Sequence, residues 1–251
     1  GSSKKAKGLD GGAAPCALGC DTALPPAYWG EPSGLACLDT VVSDVWAEGY
    51  SHHITRLMIL SNLATLLDVR PRELTDWFWV AYTDAYDWVV EPNVLGMGTY
   101  ALGGLMTTKP YVSGAAYINR MSDYCEICSF NPKTDCPFAS LYWAFLGRHE
   151  ALLKTNPRLT MPMASLRKRG AGRKEQDQEV YRRVREIGSE LGRIYGISLK
   201  DTTFLEGIDM IIPVPLHPSK ERIRGFNQSS IIAGGFAGVT GIPVNDNILI
   251  R

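Results

Sequence analysis

The stretch LDTVVSDVWAEGYSHHITRLMILSNLATLL, residues 38–67, decides the class of fold. Its apolar side chains recur at intervals of three and four residues, and this spacing places them on one face of an α-helix. The stretch therefore predicts two consecutive amphipathic helices, and a mainly α domain begins with them.

More helices are predicted after this stretch. Pro71 suits a first helical turn, and residues 73–88 predict a third helix that is apolar or aromatic on most of its circumference and hence centrally buried. Residues 93–114 are rich in Gly and predict a long functional loop. Residues 138–153 predict one more helix, and the charged residues 166–185 predict a surface helix or a linker.

The two ends of the chain follow other patterns. Residues 1–23 are rich in Gly, Ala, Ser and Lys and predict a disordered tail. Towards the carboxyl end, β-branched runs at 208–216 and 242–250 predict strands, and small residues at 229–238 predict a helix between them. The predicted organisation is a tail over 1–23, a helical domain over 24–187 and a smaller partial α/β segment over 188–251.

Charge and composition exclude some classes of protein. The 251 residues include 26 basic and 26 acidic side chains, so no global charge attracts the chain to nucleic acid or to a membrane surface. No apolar run reaches the roughly 20 residues that a spanning helix needs. The amino terminus has no apolar core suited to a signal peptide and is interpreted as a tag remnant, a tail or a cut end. We therefore expect a cytoplasmic protein that does not enter a membrane.

A cysteine cluster is the strongest chemical motif. Cys125, Cys128 and Cys136 form the pattern C-x₂-C-x₇-C, and Cys37 lies upstream as a fourth possible ligand. Four thiolates hold either a structural zinc ion or an iron–sulfur cluster, and the spacing does not separate the two. Buried inert thiols and disulfides are the alternatives without a metal.

Several motifs in a fixed order resemble one family. They are AYWGEPSGLACLD (27–39), GYSHHITRLMIL (49–60), DWFWVAYTDAYDWVVEPNVLGMG (76–98), KPYVSGAAYINRMSDYCEIC (109–128) and CPFASLYWAFLGRHE (136–150). Together they resemble the carboxy-terminal, helical flavin domain of iron–sulfur bacterial photolyases, also called cryptochrome and photolyase-related proteins. The resemblance covers about residues 24–185. It implies that Cys37, Cys125, Cys128 and Cys136 ligate a [4Fe–4S] cluster, while Cys16 and Cys20 match nothing in the family.

Members of this family bind FAD and use light to transfer an electron from the reduced flavin to a (6-4) photoproduct flipped out of DNA. The resemblance therefore implies FAD as cofactor and damaged DNA as partner; protein partners stay unknown. It implies an ion pair of Arg56 with Asp84 beside the flavin, whose N3–H the carboxylate accepts. The implied flavin-binding residues are Arg56, Asp84, Glu91, Asn93, Gly96 and Met97. Val90 stands where many relatives place Glu or Asn against flavin N5, so Glu91 supplies the neighbouring carboxylate.

The resemblance also implies groups for the lesion and for electron supply. His53 is the expected proton donor, with His52 assisting, because a histidine gives and recovers a proton near neutral pH. Tyr111 is expected to pack on the photoproduct, and Lys109 to meet a phosphate.

Trp29 and Trp77 match aromatic residues that relay electrons. Phe78 replaces a common Tyr, so a detour through Trp79 or Trp88 is possible. Taken singly, core packing is the expected role of the aromatic residues Trp77, Trp79, Tyr82, Tyr86 and Trp88.

A second resemblance concerns residues 208–229, IDMIIPVPLHPSKERIRGFNQS, which are similar to phosphoribosyltransferases related to competence protein F. The loop that binds phosphoribosyl pyrophosphate in that family would lie after Arg251, so transferase activity is not expected. Both resemblances cover partial domains, and the chain is interpreted as an incomplete photolyase copy joined to a transferase fragment. The alternative functions are an inactive flavin-binding, DNA-binding or light-sensing module, or a fragment of such a transferase.

Overall fold

The computed structural model describes residues 14–185, 205, 207–213 and 228–245, and these residues are mainly helical. The chain divides into two compact units, Gly1–Arg182 and Arg183–Arg251. Within the described ranges no helix is both long enough and apolar enough to cross a membrane.

The two helices predicted from residues 38–67 are confirmed. Helix α1 is Ala36–Glu48. Just before it, the backbone N–H and the hydroxyl of Ser33 both donate to Asp39 Oδ1 in the first turn, at 2.9 and 2.6 Å. Helix α1 ends at Gly49, whose φ of 65° is the left-handed conformation that glycine favours. Helix α2 then covers 53–66 in three continuous parts, and its middle part has π-helical hydrogen bonding. The parts are His53–Thr55, the π-helix Arg56–Ser61 and Asn62–Leu66.

The single helix predicted for residues 73–88 is wrong, because the chain breaks at Tyr82. Helix α3 is Pro71–Ala81, and Tyr82 is extended with φ −111° and ψ 139°. The break is stabilised from another part of the chain, since the Thr83 N–H donates to the Gly49 carbonyl at 2.9 Å. The predicted burial holds for one face only: Trp77 is 0% exposed, whereas Trp79 is 51% exposed.

The loop predicted for residues 93–114 begins as a helix instead. Helix α4 covers 87–98, with Asp87–Val90 followed by a second π-helix, Glu91–Gly98. A short 3₁₀ turn, Gly103–Leu105, lies farther along, and only the remainder is irregular.

Five further helices follow these four in residues 115–185. The predicted helix 138–153 is interrupted at His149, and the charged stretch 166–185 is the end of one helix and the whole of the next. The elements are α5 Ala115–Met121, α6 Pro137–Arg148, α7 Glu150–Leu153, α8 Thr160–Lys168 and α9 Ala171–Arg185.

Asp68, in the corner between α2 and α3, joins this corner to α6 and α9. Its backbone is left-handed, with φ 54°, and its carboxylate accepts hydrogen bonds from Arg148 Nε, His149 Nε2 and Tyr181 Oη, each at 2.8 Å. Burial by itself raises the pKa of Asp68, but these hydrogen bonds and the Arg148 charge outweigh it, so the pKa is lowered. The carboxylate therefore stays ionised inside the protein.

The disordered tail predicted for 1–23 is wrong for residues 14–23, which pack against the helices. Leu18 is buried, and the Thr22 N–H donates to the Asp68 carbonyl at 2.9 Å. The next residue, Leu24, is buried too, and its N–H donates to Glu73 Oε2 at 2.8 Å. Residues 1–13 lie outside the described part of the chain.

In the second unit, helix α10, Gln228–Thr240, confirms the predicted helix at 229–238. The buried strand predicted at 208–216 is wrong over its described part: Ile208, Met210 and Ile212 are each 39% exposed. The described residues form no strand, and Ile211 makes only an isolated parallel bridge with Val244. Residues 214–227 and 246–251, which carry most of the transferase-like sequence, lie outside the described ranges.

Candidate functional site

The two π-helices pack directly against each other. A Cβ built on Gly98 would lie 2.9 Å from Ser61 Oγ, so glycine is required for this close approach. Thr65 Oγ1 also donates to the Gly98 carbonyl at 3.3 Å. Because π-helical turns are rare and occur frequently at functional sites, this contact marks the neighbourhood of a candidate site.

Arg56 and Asp84 face each other beside this contact. Arg56 begins the first π-helix, and Asp84 lies in the break after α3. Arg56 Nη1 and Nη2 donate to the two carboxylate oxygens of Asp84 at 3.0 and 2.9 Å, which is a bidentate pair. The Arg56 side chain is 20% exposed and that of Asp84 is 47% exposed, so the carboxylate keeps an open side.

Aromatic rings hold Arg56 in place. Its guanidinium carbon lies 4.1 Å from the centre of the Tyr82 ring and 5.1 Å from that of Tyr50, and its Nε donates to the Ser51 carbonyl at 2.9 Å. The guanidinium is therefore fixed on several sides before any ligand binds.

The remaining predicted flavin residues lie on the second π-helix. Glu91 accepts from Arg72 Nη1 at 2.5 Å, so its carboxylate anchors α4 to α3. Asn93 is exposed, and its amide donates to the Val89 carbonyl at 2.8 Å. Gly96 is buried against Met106, and Met97 is half-buried. The second π-helix therefore carries all four of these residues, and the Glu91 carboxylate is paired with Arg72.

The two histidines lie at the start of α2. His52 and His53 are exposed, and their ring centres are 4.3 Å apart. His52 Nδ1 accepts the Ile54 N–H at 3.3 Å, so a neutral His52 carries its proton on Nε2. Arg56 follows His53 by three residues, which is about one helical turn.

Lys109 and Tyr111 are exposed on the irregular segment before α5. This segment is clamped to α2 at one point. The Asn62 amide donates to Ser113 at its carbonyl, 3.0 Å, and its hydroxyl, 3.1 Å, and the Asn62 carbonyl oxygen accepts the Ser113 N–H at 2.9 Å. Asn62 is 0% exposed, so a buried side chain fixes the backbone near Tyr111.

Trp29 and Trp77 are connected through a residue that sequence reasoning missed. The Trp46 ring centre is 5.8 Å from that of Trp29 and 6.4 Å from that of Trp77. Trp77 is in turn 6.0 Å from Tyr82, the ring that covers Arg56. These four rings, Trp29, Trp46, Trp77 and Tyr82, are called the aromatic chain below.

The expected core packing of five aromatic residues is confirmed for Trp77 and Tyr82 and is wrong for the others. Trp79, Tyr86 and Trp88 are 51, 60 and 76% exposed. Tyr86 and Trp88 stack on each other at 5.9 Å near the surface. Trp77 lies close to Tyr82, and Phe78 contacts both rings, at 5.3 Å from Trp77 and 4.9 Å from Tyr82.

The four predicted cluster ligands line one cavity. Cys37 lies in the first turn of α1, Cys125 in the 3₁₀ turn Tyr124–Glu126, and Cys136 directly before α6. These three and Cys128 line one cavity. Four cysteines from separate elements therefore converge on one place.

The thiols of this cavity are electrostatically linked. Burial, and then the neighbouring sulfurs, raise the pKa of Cys37 to about 12. Burial likewise raises the pKa of Cys136 to about 11 and that of Cys125 above its usual value. Without a cation the ionised forms repel one another, whereas a bound metal reverses this preference. In the described ranges, no three His, Cys, Asp or Glu side chains are placed to hold a single metal ion.

Comparisons with known proteins give two relatives. No family model matches the chain. Over 150 residues it is 44% identical to a (6-4) photolyase of Agrobacterium fabrum, a match that covers 58% of the chain and 30% of that protein. Over 89 residues it is 36% identical to uncharacterized protein R855 of Acanthamoeba polyphaga mimivirus, covering 36% of the chain and 69% of the viral protein. The chain therefore spans less than a third of the photolyase and about two thirds of the viral protein.

Proposed function

We propose that the helical unit binds FAD and takes part in light-driven repair of (6-4) photoproducts in DNA. The chain is related to the photolyase family, and this relationship supports the proposal. The observation that carries the proposal is the bidentate pair of Arg56 and Asp84 beside the packed π-helices. A carboxylate held by arginine and still open on one side accepts the N3–H of a flavin ring without reorganising. When bound, reduced FAD supplies the electron that absorbed light transfers to the lesion.

The first experiment measures FAD binding by Asp84→Asn. The substitution keeps the shape of the side chain and removes the charge, so a charge-assisted hydrogen bond worth about 1.5–3 kcal/mol is lost and FAD affinity falls about 10- to 100-fold. Asp44→Asn, at an exposed position of α1, is the matched control and leaves affinity unchanged. Unchanged affinity in Asp84→Asn contradicts the assignment.

We propose His53 as the proton donor to the lesion. His53 is exposed and lies one turn before Arg56, and its neighbour His52 keeps Nε2 as the protonated nitrogen. The pair therefore offers N–H donors at the surface next to the proposed flavin site. General acid catalysis contributes about 10²- to 10⁴-fold, so repair by His53→Ala falls by that order while FAD content stays constant. Equal repair rates in the variant and the unchanged chain contradict the assignment.

For electron supply we propose the aromatic chain. Its rings follow one another at centre-to-centre distances of 5.8, 6.4 and 6.0 Å, from Trp29 to Tyr82. Trp46, the second ring of the aromatic chain, is 43% exposed, so an external reductant can reach the aromatic chain there. At the inner end, the Tyr82 hydroxyl lies 2.7 Å from Ser51 Oγ, and burial raises the Tyr82 pKa to about 12. Tyr82 therefore stays protonated until it transfers an electron.

We propose a [4Fe–4S] cluster for the four-cysteine cavity. Four thiolates from one cavity are the ligand set that such a cluster requires, and the same set also suits a structural zinc ion, so the metal content decides between them. Cys37, Cys125, Cys128 and Cys136 would hold it and would fix the start of α1 to the start of α6.

Metal analysis tests this assignment independently of repair. Protein expressed and purified without oxygen is expected to contain iron and acid-labile sulfide in equal amounts, and Cys128→Ser is expected to lose both. Cys16→Ser, which changes a cysteine away from the cavity lining, retains them. One zinc ion per chain without sulfide rejects the cluster.

A further inference from the structure

The segment CALGC, residues 16–20, forms a tight turn with a cysteine at each end. The Gly19 N–H donates to the Cys16 carbonyl at 3.2 Å, and Gly19 has a left-handed φ of 70°. The Cys20 N–H donates to Cys16 Sγ at 2.9 Å. The turn therefore brings the backbone of one cysteine onto the sulfur of the other.

This turn is fixed to the helical unit on both sides. The Ala17 N–H donates to the Ala101 carbonyl at 2.9 Å, and the Leu18 side chain is 8% exposed. After the turn, Thr22 pairs with Val69 in a parallel bridge. Cys16 and Cys20 are half-buried and lie on an ordered surface, so the two thiols stay near each other while small reagents still reach them.

The two thiols differ in character. The Cys20 thiol donates a hydrogen bond to the Cys16 sulfur, and this bond, joined by backbone N–H groups, lowers the pKa of Cys16 despite partial burial. The same bond, burial, and the nearby charges of Cys16, Asp68 and Asp21 raise the pKa of Cys20. An ionised thiol attacks, and a neighbouring protonated thiol then resolves the product, which is the division found in reactive dithiols.

We propose that Cys16 and Cys20 are a redox-active dithiol that low-molecular-weight disulfides oxidise to an intramolecular disulfide. The Cys16 thiolate attacks one sulfur of the oxidant, a mixed disulfide forms, and one thiol leaves. Cys20 loses its proton and attacks Cys16 Sγ, and the second thiol leaves. The two cysteines together lose two electrons and two protons, and the oxidant is reduced to two thiols.

The experiment uses the full chain in buffers of reduced and oxidised glutathione, followed by acid quenching, alkylation and peptide mass analysis. Trypsin releases residues 8–56, which also contain Cys37, so Cys37→Ser is analysed in parallel to leave only two cysteines in that peptide. As the buffer becomes more oxidising, Cys16 and Cys20 are expected to escape alkylation together. This result is expected in the unchanged chain and in Cys37→Ser. Two freely alkylated cysteines in every buffer overturn the proposal, as does a disulfide from either cysteine to another part of the chain.

Single substitutions test the order of attack. Cys20→Ser is expected to accumulate a mixed disulfide of Cys16 with glutathione, since the resolving thiol is gone. In the unchanged chain, where the Cys20 thiol is still present, the rate at which Cys16 first reacts with excess oxidised glutathione is expected to level off well below pH 8.5, the usual pKa of a cysteine. A rate that still rises through about pH 8.5 overturns the assignment of Cys16 as the attacking thiolate. A faster reaction of Cys16→Ser than of Cys20→Ser with oxidised glutathione overturns it as well.

Discussion

The contact between the two π-helices predicts a large difference between two glycine substitutions. In Gly98→Ala the new Cβ would lie 2.9 Å from Ser61 Oγ, 3.2 Å from Ser61 Cβ and 3.2 Å from the Asn93 carbonyl oxygen. Ser61 is 2% exposed, and the carbonyl belongs to a helix, so neither can move away easily. Overpacking of this kind costs about 1–3 kcal/mol.

Gly104→Ala is the matched control, because a Cβ at Gly104 meets nothing within 4 Å. Both substitutions reduce the freedom of the unfolded chain by about 0.4–1 kcal/mol, and this term cancels in the comparison. Gly98→Ala is therefore expected to be about 1–3 kcal/mol less stable than Gly104→Ala, or about 2–4 °C lower in Tm for each kcal/mol.

Urea unfolding followed by tryptophan fluorescence measures this difference. All six tryptophans precede Arg183, so the signal reports on the first unit alone. Adding Ser61→Gly to Gly98→Ala removes two of the three close contacts and is expected to recover part of the loss. Equal stability of Gly98→Ala and Gly104→Ala refutes the close packing of the π-helices.

Three further outcomes are expected. The lowered pKa of Asp68 adds stability that is complete above its unfolded pKa of about 3.9 and is lost as pH falls through the folded pKa. The unfolding free energy of Asp68→Asn is therefore expected to fall less steeply below about pH 4 than that of the unchanged chain. The same pH dependence in both proteins contradicts this. Trp46→Phe slows reduction of bound flavin by light and external reductant, while Trp88→Phe does not; equal rates exclude Trp46 from the path. Asn62→Ala leaves a backbone N–H without its side-chain acceptor and lowers the unfolding free energy by about 1–3 kcal/mol, against about 0.5 for the exposed Asn93→Ala; equal losses argue against the clamp.

The helical part of the fold could be predicted where the pattern is local. Residues 38–67 carry a regular apolar period, and α1 and α2 follow it. The break at Tyr82 could not be predicted in this way, because the Gly49 carbonyl that stabilises it comes from another helix end. The helix over 91–98 was hidden by its glycines, which suggest a loop in sequence but allow close packing in the fold.

The candidate site was predictable residue by residue but not as a network. The resemblance led to Arg56, Asp84 and the four cysteines, and the structure brings each set together. Trp46 was missed because its indole meets Trp29 and Trp77 only through tertiary packing. The ordered turn at Cys16 was missed because its contacts with Ala101 are equally remote in sequence.

Asp68 has a consequence for the order in which the chain folds. Its carboxylate partners Arg148, His149 and Tyr181 follow it by 80, 81 and 113 residues. During synthesis the corner between α2 and α3 therefore emerges long before the groups that make burial of this carboxylate favourable. We expect a nascent chain that ends before α6 to keep this corner solvated and protease-sensitive. Docking of α6 and α9 would then be the late step that closes the domain.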